Sequence, residues 1–211
     1  MPDSPAPIRA PARLLPLALL LTIVATIPVL NAVALSAQIP LGLVPEGSLR
    51  LMIAPFSLFT HAVAGVLFGL AGPLQFLRAL RHRFGSLHRV AGYGFVVAGV
   101  LLGGSGLSLI VQVDATTTTL PVVARTIAGA ALIVALWLGL AARTRIRHRA
   151  WMIRAYAIGM GLGIVGLAFF PIYLITGAPP SGLGADILFV LCWGFSIVGA
   201  EIIIRRLGPI P

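Results

Sequence analysis

The chain has 211 residues, of which 59% are hydrophobic and 9% charged, with a mean hydropathy of +1.06. That balance excludes a soluble domain with an ordinary polar surface. The net charge of +10 comes from fifteen arginines and no lysine; most of them end apolar runs rather than line a polar face, so membrane topology accounts for them and nucleic-acid binding does not.

Residues 1–13, MPDSPAPIRAPAR, are rich in proline and polar groups and read as a disordered amino-terminal tail. Six apolar runs follow at 14–36, 51–77, 88–111, 121–142, 150–176 and 184–204. Each has the length of about 20 residues that a bilayer-crossing helix needs. A short tail over 207–211 closes the chain. The expected fold is an all-α membrane protein, a single six-transmembrane-helix bundle over 14–206. The rival reading of the first run is a cleaved signal peptide, because Ala32–Ala34 offers a small-x-small site behind a positive region.

Basic residues near helix ends stay on the cytoplasmic side. With the amino terminus inside, Arg9, Arg13, Arg78, Arg81, Arg83, Arg89, Arg143, Arg145, Arg147, Arg149, Arg154, Arg205 and Arg206 are all inner, and Arg50 and Arg125 outer. Both termini are therefore expected in the cytoplasm, with the protein in the inner membrane of a bacterium. The outer segments QIPLGLVPEGS, VDATTTT and GAPPSGLGAD carry turn and breaker residues. None is long enough to fold alone, which leaves function to the bundle or its inner face. The single Cys192 lies inside the sixth run, so an intrachain disulfide framework is impossible.

Ionisable groups inside membrane helices are costly and each is a candidate for function. His61 falls near the middle of the second run, followed on one helical face by Gly65, Gly69 and Gly72. His88 heads a similar face of Gly92, Gly99, Gly103 and Gly106, and His148 one that includes Gly159, Gly163 and Gly166. Small-residue faces let membrane helices pack closely, which is one account of them. The other is a cofactor. His88-Arg89 and His148-Arg149 begin outward-running helices at matching depth, where two imidazoles are placed to hold one b-type haem and arginines to pair with its propionates. A solvated basic rim meeting anionic lipid headgroups is the alternative for both histidines.

Glu201 stands at similar depth, together with Gln75 and Arg154. His88, His148 and Glu201 form the donor set of a zinc or ferrous site; an ion pair of Glu201 with an arginine is the competing reading. On the outer side Arg125 lies near Asp114 and Asp186, as a structural ion pair or as an outer gate or propionate clamp. His82 is expected to be solvated. No P-loop, nucleophile elbow, HExxH or CxxC motif is present.

The strings THAVAGVLFGLAGPLQFLRALRHR, SLHRVAGYGF, RHRAWMIRAYA and WGFSIVGAEIIIRR resemble the bacterial predicted-membrane family catalogued as domain of unknown function 2306. The likeness covers roughly the second to sixth runs. It implies shared positions for His61, Gln75, His88, His148, Trp151, Met152, Arg154 and Glu201, and it implies no activity. SLHRVAG and IRHRAWM are also similar to the strings that bring axial histidines in the ascorbate-reducible transmembrane cytochrome b family. That family pairs four histidines around two haems; the fourth run here has none opposite His61, so the likeness implies at most one bis-histidine haem.

Three readings are carried forward. The first is a haem b electron-transfer protein near the cytoplasmic face, using His88 and His148 and serving a quinone or another redox partner. The second is a small transporter in which mid-membrane His61 exchanges protons, Gln75 and Glu201 line an inner vestibule and Arg125 an outer one. The third is a non-catalytic scaffold in the lipid bilayer.

Overall fold

A computed structural model describes residues 14–43, 52–77, 83–113, 118–178 and 180–207. Its principal helices are α1 (Leu14–Gln38), α2 (Pro55–Phe76), α3 (Gly85–Val113), α4 (Thr119–Ala141), α5 (Arg145–Gly159), α6 (Gly161–Thr176) and α7 (Gly182–Leu207). Six helical stretches are long and apolar enough to cross a membrane, α5 and α6 together supplying the fifth. The tail called at 1–13 and all of 207–211 except Leu207 lie outside the described residues, as do Arg9, Arg13, Arg50, Arg78, Arg81, His82 and Asp114.

The helices close into a ring. α2 packs between α1 and α3, α4 between α3 and α5, and α7 against α5 and α6, while α6 returns to α1. Local chemistry sets the ends: Pro55 opens α2, where its missing N–H costs nothing, and the Thr144 side chain accepts from the Arg147 N–H at the start of α5. By their positions along the helices, Arg83, Arg89, Arg143, Arg145, Arg147, Arg149, Arg205 and Arg206 share one end of the bundle. The outward faces remain apolar, with Val111, Ile175 and Phe56 among the most exposed side chains, as contact with lipid requires.

The core is an aromatic stack. The Phe68 ring lies 4.4 Å from that of Phe95 and 5.8 Å from that of Tyr156, offset-stacking distances that add to their burial. Glycines make room for it: a Cβ at Gly99 or Gly159 would meet Phe68, and one at Gly72 would overlap Tyr156. The buried Tyr156 hydroxyl is satisfied by the carbonyls of Leu21 and Gly69, each at 3.2 Å.

One expectation is corrected. The run at 150–176 is not one helix; it breaks at Met160, whose φ of −99° and ψ of 8° are not helical. The string Gly159-Met160-Gly161-Leu162-Gly163 holds three poor helix formers. A break in a span frees backbone carbonyls that lipid cannot satisfy. α7 supplies the partners: Trp193 Nε1 donates to the Ile158 carbonyl and Ser196 Oγ to that of Ala157, both at 2.8 Å. A second irregularity lies opposite. Pro28 removes the N–H that would have bonded the Val24 carbonyl, and α6 approaches that oxygen so closely that a Cβ at Gly163 would overlap it.

Candidate functional site

Above the aromatic stack, in the half of the bundle away from the arginine-rich end, a cavity of about 480 Å³ opens between the spans. All six contribute to its wall. Ile27, Asn31 and Ala32 come from α1, Leu58 and His61 from α2, Gly103 and Gly106 from α3, Arg125 and Leu132 from α4, and Trp193 from α7. The fifth span contributes its broken turn, Ile158 to Met160, and α6 through Phe169. That volume falls in the range of about 300–1,000 Å³ typical of small-molecule sites.

His61 is the centre of a polar ladder between α2 and α3. Its Nδ1 lies 3.2 Å from the Leu102 carbonyl and 3.2 Å from Ser105 Oγ; since a carbonyl only accepts, the contact with Leu102 places the ring proton on Nδ1. Ser105 donates to the Leu101 carbonyl at 2.6 Å. Towards the end of the hairpin the ladder continues with Ser57 and Ser108, 3.0 Å apart, and with Gln112 Nε2 donating to Ser108 at 2.6 Å. The Cε1 edge of the imidazole faces Gly106, where a Cβ would come within 3.3 Å of it. The glycine thus keeps space open at the ring.

Sequence reasoning placed His61 near the middle of its span. α2 begins at Pro55 and has 22 residues, so His61 sits about 9 Å along the helix from that end, nearer its centre than its end. Gln75 is 14 residues further along, about 21 Å away on the helix axis. The two do not form one polar site. Gln75 instead packs beside Gly92 of α3, and its Nε2 is buried with no hydrogen-bond partner among the described residues.

His88 and His148 occupy equivalent places, each the fourth residue of its helix, with backbone N–H groups donating to Phe84 and Thr144. His148 Nδ1 lies 2.8 Å from the Gly139 carbonyl. Arg89 is exposed and Arg149 half-buried. Glu201 is engaged by Arg154 in a two-pronged pair, Nε to Oε1 at 2.6 Å and Nη2 to Oε2 at 3.0 Å, and the same guanidinium lies 4.7 Å above the Trp151 ring. Among the described residues no three His, Cys, Asp or Glu side chains gather as a metal site. The set His88, His148 and Glu201 is therefore not brought together, and Glu201 takes the ion-pair role. Both members of the pair also line a smaller cavity of about 180 Å³ between α4, α5 and α7.

Most glycines on the faces behind the histidines pack against other side chains or backbone, although Gly65, Gly103 and Gly106 also border the cavity. Gly99 meets Leu136 and Phe68, Gly103 meets the Gly129 carbonyl and Ile133, and Gly166 meets Ile27. Close packing accounts for them. At the far end, Asp186 accepts from Thr118 at 2.6 Å, and the Arg125 guanidinium stands 5.1 Å over the Phe189 ring.

Sequence reasoning missed the serine and glutamine ladder. Its signal was present: Ser105, Ser108 and Gln112 follow at i, i+3 and i+7, and Ser57 precedes His61 by one turn. It also missed Asn31 and the break at Met160. The family model described as "Predicted membrane protein (DUF2306)" matches residues 58–204, which includes every cavity helix except α1. No curated protein and no solved structure gives a significant match.

Proposed function

Since the chain belongs to the DUF2306 family of predicted membrane proteins, a description that carries no activity, we propose a function from the cavity itself: a small multi-pass transporter that admits a small molecule between its spans, with His61 as the proton-exchanging group. The observation that carries the reading is a cavity of about 480 Å³ walled by all six spans and bounded by the broken turn of the fifth. Discontinuous helices recur at the binding sites of membrane transporters, because irregular backbone is tolerated only where protein or a cavity surrounds it. Imidazole is the side chain whose proton exchanges most readily near neutral pH. Gln75 and Glu201 are not among the cavity residues, so the inner vestibule is dropped from this reading and Arg125 retained. The arginine-rich end faces the cytoplasm of the inner membrane, with both termini on that side and the arginines against anionic headgroups.

A haem b held by His88 and His148, with transfer to a quinone, is the second reading. One observation favours it: the contact of His148 Nδ1 with a backbone carbonyl is the arrangement that orients Nε2 towards a metal. The glycines meant to make room for the macrocycle are occupied by Leu136, Phe68, Ile133 and Gln75, which weighs against it.

A thermal-shift screen tests the transporter reading. Purified full-length protein is heated with a panel of small acids, amines and alcohols. At least one class is expected to raise the melting temperature, with the rise lost in the cavity-filling variants Gly106→Trp and Ala128→Trp. A rise that both filled variants retain would contradict the assignment of the site.

A further inference from the structure

We infer that the ladder of Gln112, Ser57, Ser108 and Ser105 between α2 and α3 is the path by which the His61 ring exchanges its proton with water at the end of the bundle away from the arginines. The inference rests on the transporter reading above and names the side that serves its proton-exchanging group. Gln112 is exposed, next to last in α3, and its Nε2 donates to Ser57 at 3.2 Å and to Ser108 at 2.6 Å. The two hydroxyls lie 3.0 Å apart. Ser105 follows one turn deeper on α3, about 4.5 Å of helix rise from Ser108, a gap that one bridging water spans. Its oxygen is 3.2 Å from His61 Nδ1.

Hydroxyls elsewhere in the spans are used differently. Thr26, Ser36, Thr126 and Thr176 each donate to the carbonyl four residues back, the ordinary way for a helix to satisfy a hydroxyl. Ser57 and Ser108 bond across the helix interface instead, in line with the one imidazole of the cavity wall. Interhelical hydrogen bonds also hold membrane helices together, but that task does not require a polar run to end on a titratable ring. Ser105 has both attachments: it donates to the Leu101 carbonyl and meets the ring, so a turn of its hydroxyl hydrogen switches it from the backbone to the path.

The opposite direction is closed. Between His61 and the arginine-rich end stand Ala64, Phe68, Phe95, Leu136 and Tyr156, all 3% exposed or less, and the Tyr156 hydroxyl is held by two carbonyls. Such a stack offers a moving charge no solvation. Arg125 of α4 is the only other titratable side chain among the described residues of the cavity wall; α1, α3 and the fifth and sixth spans contribute aliphatic, aromatic, glycine and amide groups. In the neutral ring the hydrogen sits on Nδ1, against the Leu102 carbonyl. A proton taken up at Nε2 makes the imidazolium, and release of the Nδ1 proton to Ser105 restores the neutral ring. One proton enters and one reaches water.

The experiment measures exchange of the His61 ring N–H with water by NMR, on full-length protein with isotope-labelled histidine in nanodiscs, the signal being assigned by its loss in His61→Gln. Ser108→Val and Gln112→Leu should each slow the exchange by about tenfold or more, an added barrier of about 1.4 kcal/mol. Tyr156→Phe, on the closed side, should leave it unchanged. A ladder that only holds the hairpin together predicts the opposite sign, because cutting its bonds loosens the helices and quickens exchange. Exchange unchanged or faster in either folded ladder variant, or slowed as much by Tyr156→Phe, would overturn the path. Gln112 is exposed, so Gln112→Leu decides the matter where Ser108→Val does not fold. The measurement uses no transported molecule. A path overturned while small molecules still stabilise the protein, and the filled variants lose that effect, leaves the transporter reading standing. Slowed exchange in the ladder variants, with no class stabilising the protein, keeps the path and removes transport.

Discussion

Trp193 donates its indole N–H to the carbonyl of Ile158 across 2.8 Å, tying α7 to the turn at which the fifth span breaks. The bond replaces one that a continuous helix would have made for itself. Trp193→Phe keeps most of the apolar volume and removes the donor, leaving a buried carbonyl unsatisfied. A loss of about 1–3 kcal/mol is expected, read as a lower melting temperature in detergent. Ser196→Ala should add a similar loss through Ala157. Unchanged melting in the double variant would mean that the break needs no support from α7.

Close approach of α6 to α1 makes a sharp contrast among the glycines. A Cβ at Gly163 would overlap the Val24 carbonyl, which is backbone and cannot move aside, whereas one at Gly194 or Gly199 of α7 would meet nothing within 4 Å. Gly163→Ala should cost about 1–3 kcal/mol or more through displacement of packed helices. Gly194→Ala should be neutral or stabilising by up to about 1 kcal/mol, because alanine is the better helix former. Equal effects of the two substitutions would count against the packing of α6 on α1.

The pair formed by Arg154 and Glu201 gives a coupling that can be measured. Both side chains are partly exposed, at 29% and 35%, so the pair is expected to contribute about 0.5–1 kcal/mol rather than the larger value of a buried one. A double-mutant cycle with Arg154→Met and Glu201→Gln should return that coupling. Additive losses would show the contact to be energetically idle.

Much of this architecture was legible in the sequence because lipid imposes a simple rule, that a spanning helix must be long and apolar. The six runs correspond to the observed spans within a few residues at most ends. The break at Met160 escaped because hydropathy does not register backbone geometry; Gly159 reads as a packing residue on the His148 face, and the turn shows itself only where the Trp193 ring is seated against Gly161. His61 was found from the cost of burying an imidazole, and it lies nearer the centre of α2 than its start. The ladder of Ser57, Ser105, Ser108 and Gln112 was overlooked for a related reason. Hydroxyls that bond within their own helix barely perturb a hydropathy profile. Pairing of Arg154 with Glu201 depends on how α5 and α7 rotate against each other, which no local pattern encodes.

The haem reading makes the opposite prediction from the cavity. With Gly92 and Gly99 filled by Gln75, Leu136 and Phe68, protein supplied with haemin during expression should show no Soret band that depends on His88 and His148. Absorption spectra of wild type, His88→Ala and His148→Ala decide it. A band present in wild type and lost in both variants would move the functional site to the arginine-rich end.

The central claim is that the cavity beside His61 is a transport site. Its most direct test is proton movement across vesicles that contain the purified chain and a pH-sensitive dye, with a membrane-impermeant member of the class that stabilises the protein in the thermal-shift screen applied as an inward gradient. The account predicts flux above that of protein-free vesicles, reduced by about tenfold or more in His61→Ala and in the filled variant Gly106→Trp, with His88→Ala unaffected. Flux that is the same in wild type, His61→Ala and protein-free vesicles would contradict it.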